Sequence, residues 1–322
     1  MGSISLAPEK YFENQKPRSV RGVFVEKDPT MSSAANSDDQ DKKGDALKAQ
    51  RFQMLEDIAK ELSGEVVFPT YFDAVLRLRK VLQDANQSIS GIAAAVSLEP
   101  LISAKLLHLA NSVAFNPAGR EVLDLKSAIA RLGVNAVRTA AMSIVMSQLM
   151  RAKGMANFAD LTHSLWDHSI KTAAAARIIA KSMTRLNPDE AMLAGLIHDL
   201  GAFYMLYRAT QYEELRHRPD SVRYLIIQWH ESIGVSLLNA IGIPEEIVEA
   251  TVEHDQVRPT PSPIRSFSEV IYVANMLAGG HFEWLMQDQP DYPADLGLLS
   301  EKYDYLLPEI DALVVEMRAS FN

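Results

Sequence analysis

From Asp45 onward the apolar residues of this chain recur almost without interruption at spacings of three and four. That rhythm matches the turn of an α-helix, and no window shows the sustained two-residue alternation of a half-buried strand. Such a pattern can bury its apolar faces only by packing helix on helix. The expected fold is therefore all-α, a two-lobed helical bundle. With 322 residues, 48 % of them hydrophobic, the chain can bury one large core or two modest ones.

Capping residues and helix breakers divide the pattern into helices. Leu47 to Leu62 forms the first, closed by Ser63-Gly64; Val66-Val-Phe-Pro69 is extended, and Thr70 with Asp73 caps a helix to about Leu82. Ser90 caps a short helix through Val96, Pro100 starts one that runs to about Asn111, and Asp124 opens one ending at Gly133. Asn135 to Arg151 is apolar on more than one face, as a helix buried between layers must be. Gly154 begins a linker. Ala159 to Met183 then carries His163, Trp166 and His168, and its small-residue tract Thr172-Ala-Ala-Ala-Ala176 permits close approach of another helix. Asn187, Pro188 and Glu190 make a near capping box for a helix that ends at Gly201, where glycine supplies a left-handed C-cap. Asp220 to Ile241 is stopped by Gly242, and Pro244 starts a helix reaching His254-Asp255. Thr260-Pro-Ser-Pro263 is a loop, and Phe267 to Ala278 contains Asn275.

The organisation that follows is a flexible arm over 1–45, an N-terminal helical lobe over 46–153, a second lobe over 154–290 and packing helices over 291–322. Met31 to Gly44 in the arm has no apolar periodicity. Ser19-Val-Arg-Gly-Val-Phe-Val25 is either a chance apolar cluster in a disordered tail or a short docking peptide.

Composition narrows the function classes. The absence of cysteine rules out disulfides and thiolate metal sites and fits a reducing, cytoplasmic setting. No basic-then-apolar leader is present, and no apolar run approaches the roughly 20 residues of a membrane span. A formal charge of −9 argues against a general nucleic-acid surface, because such binding neutralises phosphates with Lys and Arg.

An imidazole and a carboxylate side by side at the end of the apolar stretch Ala191 to Gly201 demand an explanation. His198 and Asp199 are joined at wide, similar intervals by His168, His230 and His254, each on a different expected helix. Imidazole nitrogen and carboxylate oxygen are ligands for Zn, Fe, Mn or Ni, and bundles build metal sites by converging side chains from several helices. A lone histidine on an apolar helix is more often a hydrogen-bonded core residue, so the set is either a metal site or the remnant of one. His108, His163, His217 and His281 lack this context and read as structural or exposed.

The order His168, His198-Asp199 and a later acidic position resembles the HD superfamily of metal-dependent phosphohydrolases. Phe68-Pro-Thr, Ile92-Ala-Ala-Ala-Val-Ser-Leu-Glu-Pro100, Leu106-Leu-His-Leu-Ala-Asn-Ser112 and Ser127-Ala-Ile-Ala-Arg-Leu-Gly133 are similar to the HDOD domain. So are Leu165-Trp-Asp-His-Ser169, Ala194 to Gly201 and Ile243-Pro-Glu, giving a likeness over roughly residues 60 to 280. The resemblance implies an HD-derived helical fold and a bacterial signalling output module that works through protein partners without confirmed phosphohydrolase activity. It also puts His168, His198 and Asp199 at the first three ligand positions of an HD enzyme. His230 and His254 match further histidines of the HD-GYP phosphodiesterases. Against that pattern, Asp255 stands where a second histidine belongs, Asn275 where the final ligand aspartate belongs, and Ala202 where a lysine belongs; no Gly-Tyr-Pro follows. A neutral amide at 275 offsets less of a divalent charge, and loss of the lysine removes a group that would stabilise phosphoryl oxygens.

The expectation is thus a non-catalytic signal-transduction scaffold acting through signalling proteins, with no membrane contact. It would use no cofactor beyond a residual divalent metal, held weakly by His168, His198, Asp199, His230 and His254. Two alternatives stay open. One is a metal-dependent phosphohydrolase of a nucleotide or cyclic dinucleotide, with those five residues as ligands and Asp199 as bridge. The other is a sensor that binds a nucleotide ligand without cleaving it.

Overall fold

A computed structural model describes residues 45–63, 72–84, 86–256, 258–279 and 302–321. Among these the regular structure is entirely helical, with no strand. The arm with its 19–25 island, the extended 66–69 segment, the Thr70 cap and His281 lie outside the described residues.

Among the described residues six helices precede the central one: α1 (Asp45–Ser63), α2 (Asp73–Gln83), α3 (Ile89–Val96), α4 (Pro100–Asn111), α5 (Leu125–Leu132) and α6 (Val134–Met150). After a 3-10 turn at Met155–Phe158 come α7 (Ala159–Met183), α8 (Pro188–Ile197), α9 (Leu200–Ala209), α10 (Glu213–Arg216) and α11 (Pro219–Ile241). The last three are α12 (Glu245–Ala250), α13 (Phe267–Leu277) and α14 (Leu307–Phe321). No single described helix is long and apolar enough to cross a membrane.

Several ends follow from local chemistry. Asp124 accepts the Ser127 amide and starts α5, Pro100 sits in the first turn of α4, and Gly242 adopts the left-handed conformation that closes α11. Asn187 accepts the amides of Asp189 and Glu190 at the start of α8. The cap of α3 is Ser88 rather than Ser90: its hydroxyl accepts the Gly91 amide at 3.1 Å. Both serines carry the same capping chemistry, and only the backbone path decides between them.

α7 organises the packing. It lies against α8, α13 and α14, and α8 is covered on another side by α6. The α7–α8 approach is as close as the small-residue tract anticipated, since a Cβ on Gly195 would meet the Ala173 Cα and Thr172 carbonyl at 2.8 Å. The buried apolar side chains form one contiguous cluster from Leu47 to Phe321.

The expected helix from Asn187 to Gly201 is in fact two. α8 stops at Ile197, His198 and Asp199 form a turn, and α9 begins at Leu200. Gly201 is therefore no C-cap: it lies inside α9, and its φ is not positive. It is needed for proximity, because a Cβ there would overlap the His230 carbonyl oxygen and the backbone of Gly234 on α11. α9 has no side-chain cap, and burial holds it instead. Leu200, Phe203, Met205 and Leu206 are fully buried, each worth about 1.5–3 kcal/mol against about 1 kcal/mol for a cap.

The second boundary that differs is at α12. It ends at Ala250, not at Asp255, where the Thr251 hydroxyl turns back onto the Val248 carbonyl and Glu253 takes a positive φ of 58°. His254 and Asp255 thus sit in a tight series of turns.

Candidate metal centre

Four chain segments deliver the five side chains. His168 comes from the middle of α7 and His230 from the middle of α11. His198 and Asp199 occupy the break between α8 and α9, and His254 the turns after α12. Breaking the helix at 198–199 is what lets adjacent residues project into one space. All five expected residues converge there, each 3 % exposed or less.

Three of the four imidazoles are oriented by the chain segment that carries them. Nδ1 of His198 donates to the Gly195 carbonyl at 2.8 Å, Nδ1 of His230 to Ile226 at 2.8 Å, and Nδ1 of His254 to Thr251 at 2.7 Å. A carbonyl has no proton to give, so Nδ1 carries the hydrogen and a neutral ring turns its Nε2 lone pair inward. Those lone pairs meet carboxylate oxygens. Asp199 Oδ2 stands 3.3 Å from His198 Nε2 and 3.9 Å from His168 Nε2. Its Oδ1 stands 3.4 Å from His230 Nε2 and 3.3 Å from His254 Nε2. Nε2 atoms also face each other at 3.3 Å, in the pairs His168–His198 and His230–His254.

Acceptors packed this closely repel unless positive charge lies among them, as protons on Nε2 or as a metal ion. The protonation balance reflects that demand. Burial opposes charge on His254, but the charge of Asp255 and the hydrogen bond and charge of Asp199 prevail and push it up to about 10. His230 is raised as well, despite its burial, by Asp255 and Asp199. For His198 burial wins and the pKa falls. Asp199 would be raised by burial, yet the charge and hydrogen bonds of His198 and His254 hold it well below the carboxylate range. The donor set of imidazole nitrogen and carboxylate oxygen fits a divalent transition metal. The ligand atoms fall into two groups sharing Asp199: His168, His198 and Asp199 in one, Asp199, His230, His254 and Asp255 in the other.

The HDOD domain family matches residues 68–257, more than half of the chain. The chain belongs to the HDOD family. The HDOD fold is shared with solved structures at low identity. A protein of Shewanella amazonensis SB2B, provisionally named a metal-dependent phosphohydrolase, is 21 % identical with a TM-score of 0.64, covering 85 % of this chain and 100 % of its own. An HDOD domain protein of unknown function from Geobacter sulfurreducens is 20 % identical with a TM-score of 0.52, covering 83 % of this chain and 98 % of its own. An uncharacterized protein of Treponema pallidum (strain Nichols) is 23 % identical over 216 residues, 63 % of this chain; the match spans only 40 % of that relative's length.

Counting histidines overlooked one member of the cluster. The Asp255 carboxylate Oδ2 lies 3.3 Å from His230 Nε2 and 3.5 Å from His254 Nε2. The signal was present: His254-Asp255 repeats the His198-Asp199 dipeptide. Asn275, expected at the vacated aspartate position, is buried beside the cluster and turns its amide nitrogen toward it. Ala202 is fully buried, so no cation occupies that position on α9. His163 and His217 are exposed, and His108 binds the Ser320 hydroxyl at 2.7 Å, all away from the centre.

Proposed function

We propose that this HDOD chain is a non-catalytic signal-transduction output module, acting through signalling proteins in the cytoplasm, with a metal centre that serves its folded core. The observation that carries this reading is the burial of the centre. His168, His198, Asp199, His230 and His254 are each 1–3 % exposed, which supports a centre built into the core rather than one opened to a phosphoester and an attacking water. Ala202 adds to it, because nothing basic at that position stabilises charge on phosphoryl oxygens. The test is turnover by the full chain loaded with zinc, manganese or iron against phosphomonoesters, nucleotides and cyclic dinucleotides. The expected rate equals that of Asp199→Ala; hydrolysis that disappears in that variant would overturn the reading.

A second reading, metal-dependent hydrolysis of a nucleotide or cyclic dinucleotide, is favoured by one specific feature. The His168, His198 and Asp199 group offers three donors, the number found in catalytic zinc sites that keep a position for water. Nucleotide binding without cleavage would appear in the same experiment as calorimetric heat with no product.

A further inference from the structure

The two ligand groups sharing Asp199 are not equivalent. In the group of His230, His254, Asp199 and Asp255, five of the six separations between ligand atoms are 3.3, 3.4, 3.3, 3.3 and 3.5 Å. The sixth, between the two carboxylates, is within 4.8 Å. Four ligands about 2.0–2.2 Å from a tetrahedral Zn²⁺ stand about 3.3–3.6 Å apart, the edge being about 1.6 times the bond. Neighbouring ligands of octahedral Mg²⁺ at about 2.0–2.1 Å stand only about 2.8–3.0 Å apart. Calcium, with longer bonds, takes oxygen ligands and has no use for two imidazoles. The other group has one long edge, 3.9 Å from His168 to Asp199, and a single carboxylate, which it shares.

Asn275 explains how Asp255 is aimed. Its Nδ2 donates to Asp255 Oδ1 at 2.9 Å and to the His254 carbonyl at 3.3 Å. Both partners only accept, so they fix the amide with its nitrogen toward the cluster, while the buried Oδ1 receives no hydrogen bond. A ligand asparagine would present its oxygen. Holding one carboxylate oxygen of Asp255 leaves the other, Oδ2, facing His230 and His254.

We propose that His230, His254, Asp199 and Asp255 form a closed tetrahedral site for one zinc-class cation, with Asn275 as the positioning residue that aims Asp255 into it. The carboxylate expected at 275 has in effect moved to 255, and the amide left behind orients its replacement. Two carboxylates balance a divalent ion, and four protein ligands leave no position for water, the pattern of structural zinc sites. This rests on the reading of the centre as structural.

The experiment uses the full chain, stripped with chelator and titrated with Co²⁺ and Zn²⁺. One equivalent of Co²⁺ should give the intense visible bands of tetrahedral cobalt, displaced by one equivalent of Zn²⁺. Asp255→Ala should lose those bands. Asn275→Ala should keep the bands and weaken affinity roughly 10–100-fold, as removal of a group orienting a ligand does elsewhere. Asn275→Asp should weaken binding too, because a second carboxylate would face Asp255 Oδ1. Weak octahedral bands in the unaltered protein, or tighter metal binding by Asn275→Asp, would overturn the assignment; the first needs no variant to fold. Turnover is measured separately, so an octahedral centre with no turnover sinks the tetrahedral site and spares the regulatory reading.

Discussion

Replacing Gly201 by alanine should destabilise the protein, although alanine is the better helix former. The gain in helix propensity is about 1 kcal/mol. Against it stands the crossing of α9 and α11. The new Cβ would overlap the His230 carbonyl oxygen and lie 2.6 Å from the Gly234 nitrogen and 2.9 Å from its Cα. Carbon atoms rest about 3.5–4.0 Å apart, so the helices must separate by roughly 1 Å. All three obstructing atoms are backbone, which cannot swing aside. Overpacking of this kind costs about 1–3 kcal/mol, leaving a net loss of up to about 2 kcal/mol. For a chain of this size that lowers Tm by up to roughly 3 °C. Gly91→Ala on α3 is the control, since the atoms nearest its Cβ all belong to the Gln87 side chain, whose amide end can rotate away. Thermal melts of the two variants should move in opposite directions, or Gly91→Ala should not move. A Gly201→Ala protein that melts higher than the unaltered chain would refute the packing argument. Because His230 rides on the displaced helix, metal affinity should fall with stability.

Other consequences are equally direct. His254 is pushed up to about 10 from its ordinary 6.5, so its proton stabilises the metal-free fold fully below pH 6.5 and less as pH rises toward 10. Melts of chelator-treated protein should therefore fall over that window and those of zinc-loaded protein should fall less; parallel curves would contradict the charge-balance account. Ser88→Ala should cost about 1 kcal/mol in urea unfolding and Ser90→Ala close to none, since only Ser88 caps α3; equal losses would count against that cap. The Tyr212 hydroxyl donates to Asp57 Oδ2 at 2.6 Å and is the main cause of that carboxyl's lowered pKa. In Tyr212→Phe the Asp57 titration, followed by NMR, should rise toward 3.8, and an unmoved titration would dispute the link between α1 and α10.

Much of the helical order could be read directly. The bounds of α7 follow from an apolar stripe flanked by recognisable linkers, and Gly242 stops α11 because little else adopts its conformation. Gly201 shows where such reading runs out. A cap and a close helix crossing both require the absence of a Cβ, and only the position of α11 separates them. The break at His198-Asp199 left no trace either, because Leu200 to Ala209 is as apolar as the helix before it. At the centre, the histidines were legible from residue type and spacing. Asp255 was visible as a departure from a pattern, but its contribution depends on turns after α12 and on an amide 20 residues away.

The three inward-turned imidazoles each bond a carbonyl three or four residues earlier in their own segment: Gly195, Ile226 and Thr251. Ring direction is thus written into short stretches of chain, independent of what charge stands opposite. A lineage can trade aspartate for asparagine at 275, or a histidine for aspartate at 255, and the rings will keep pointing where they did. Exchanges at the acidic and amide positions therefore change the charge that faces the rings without changing where the rings point.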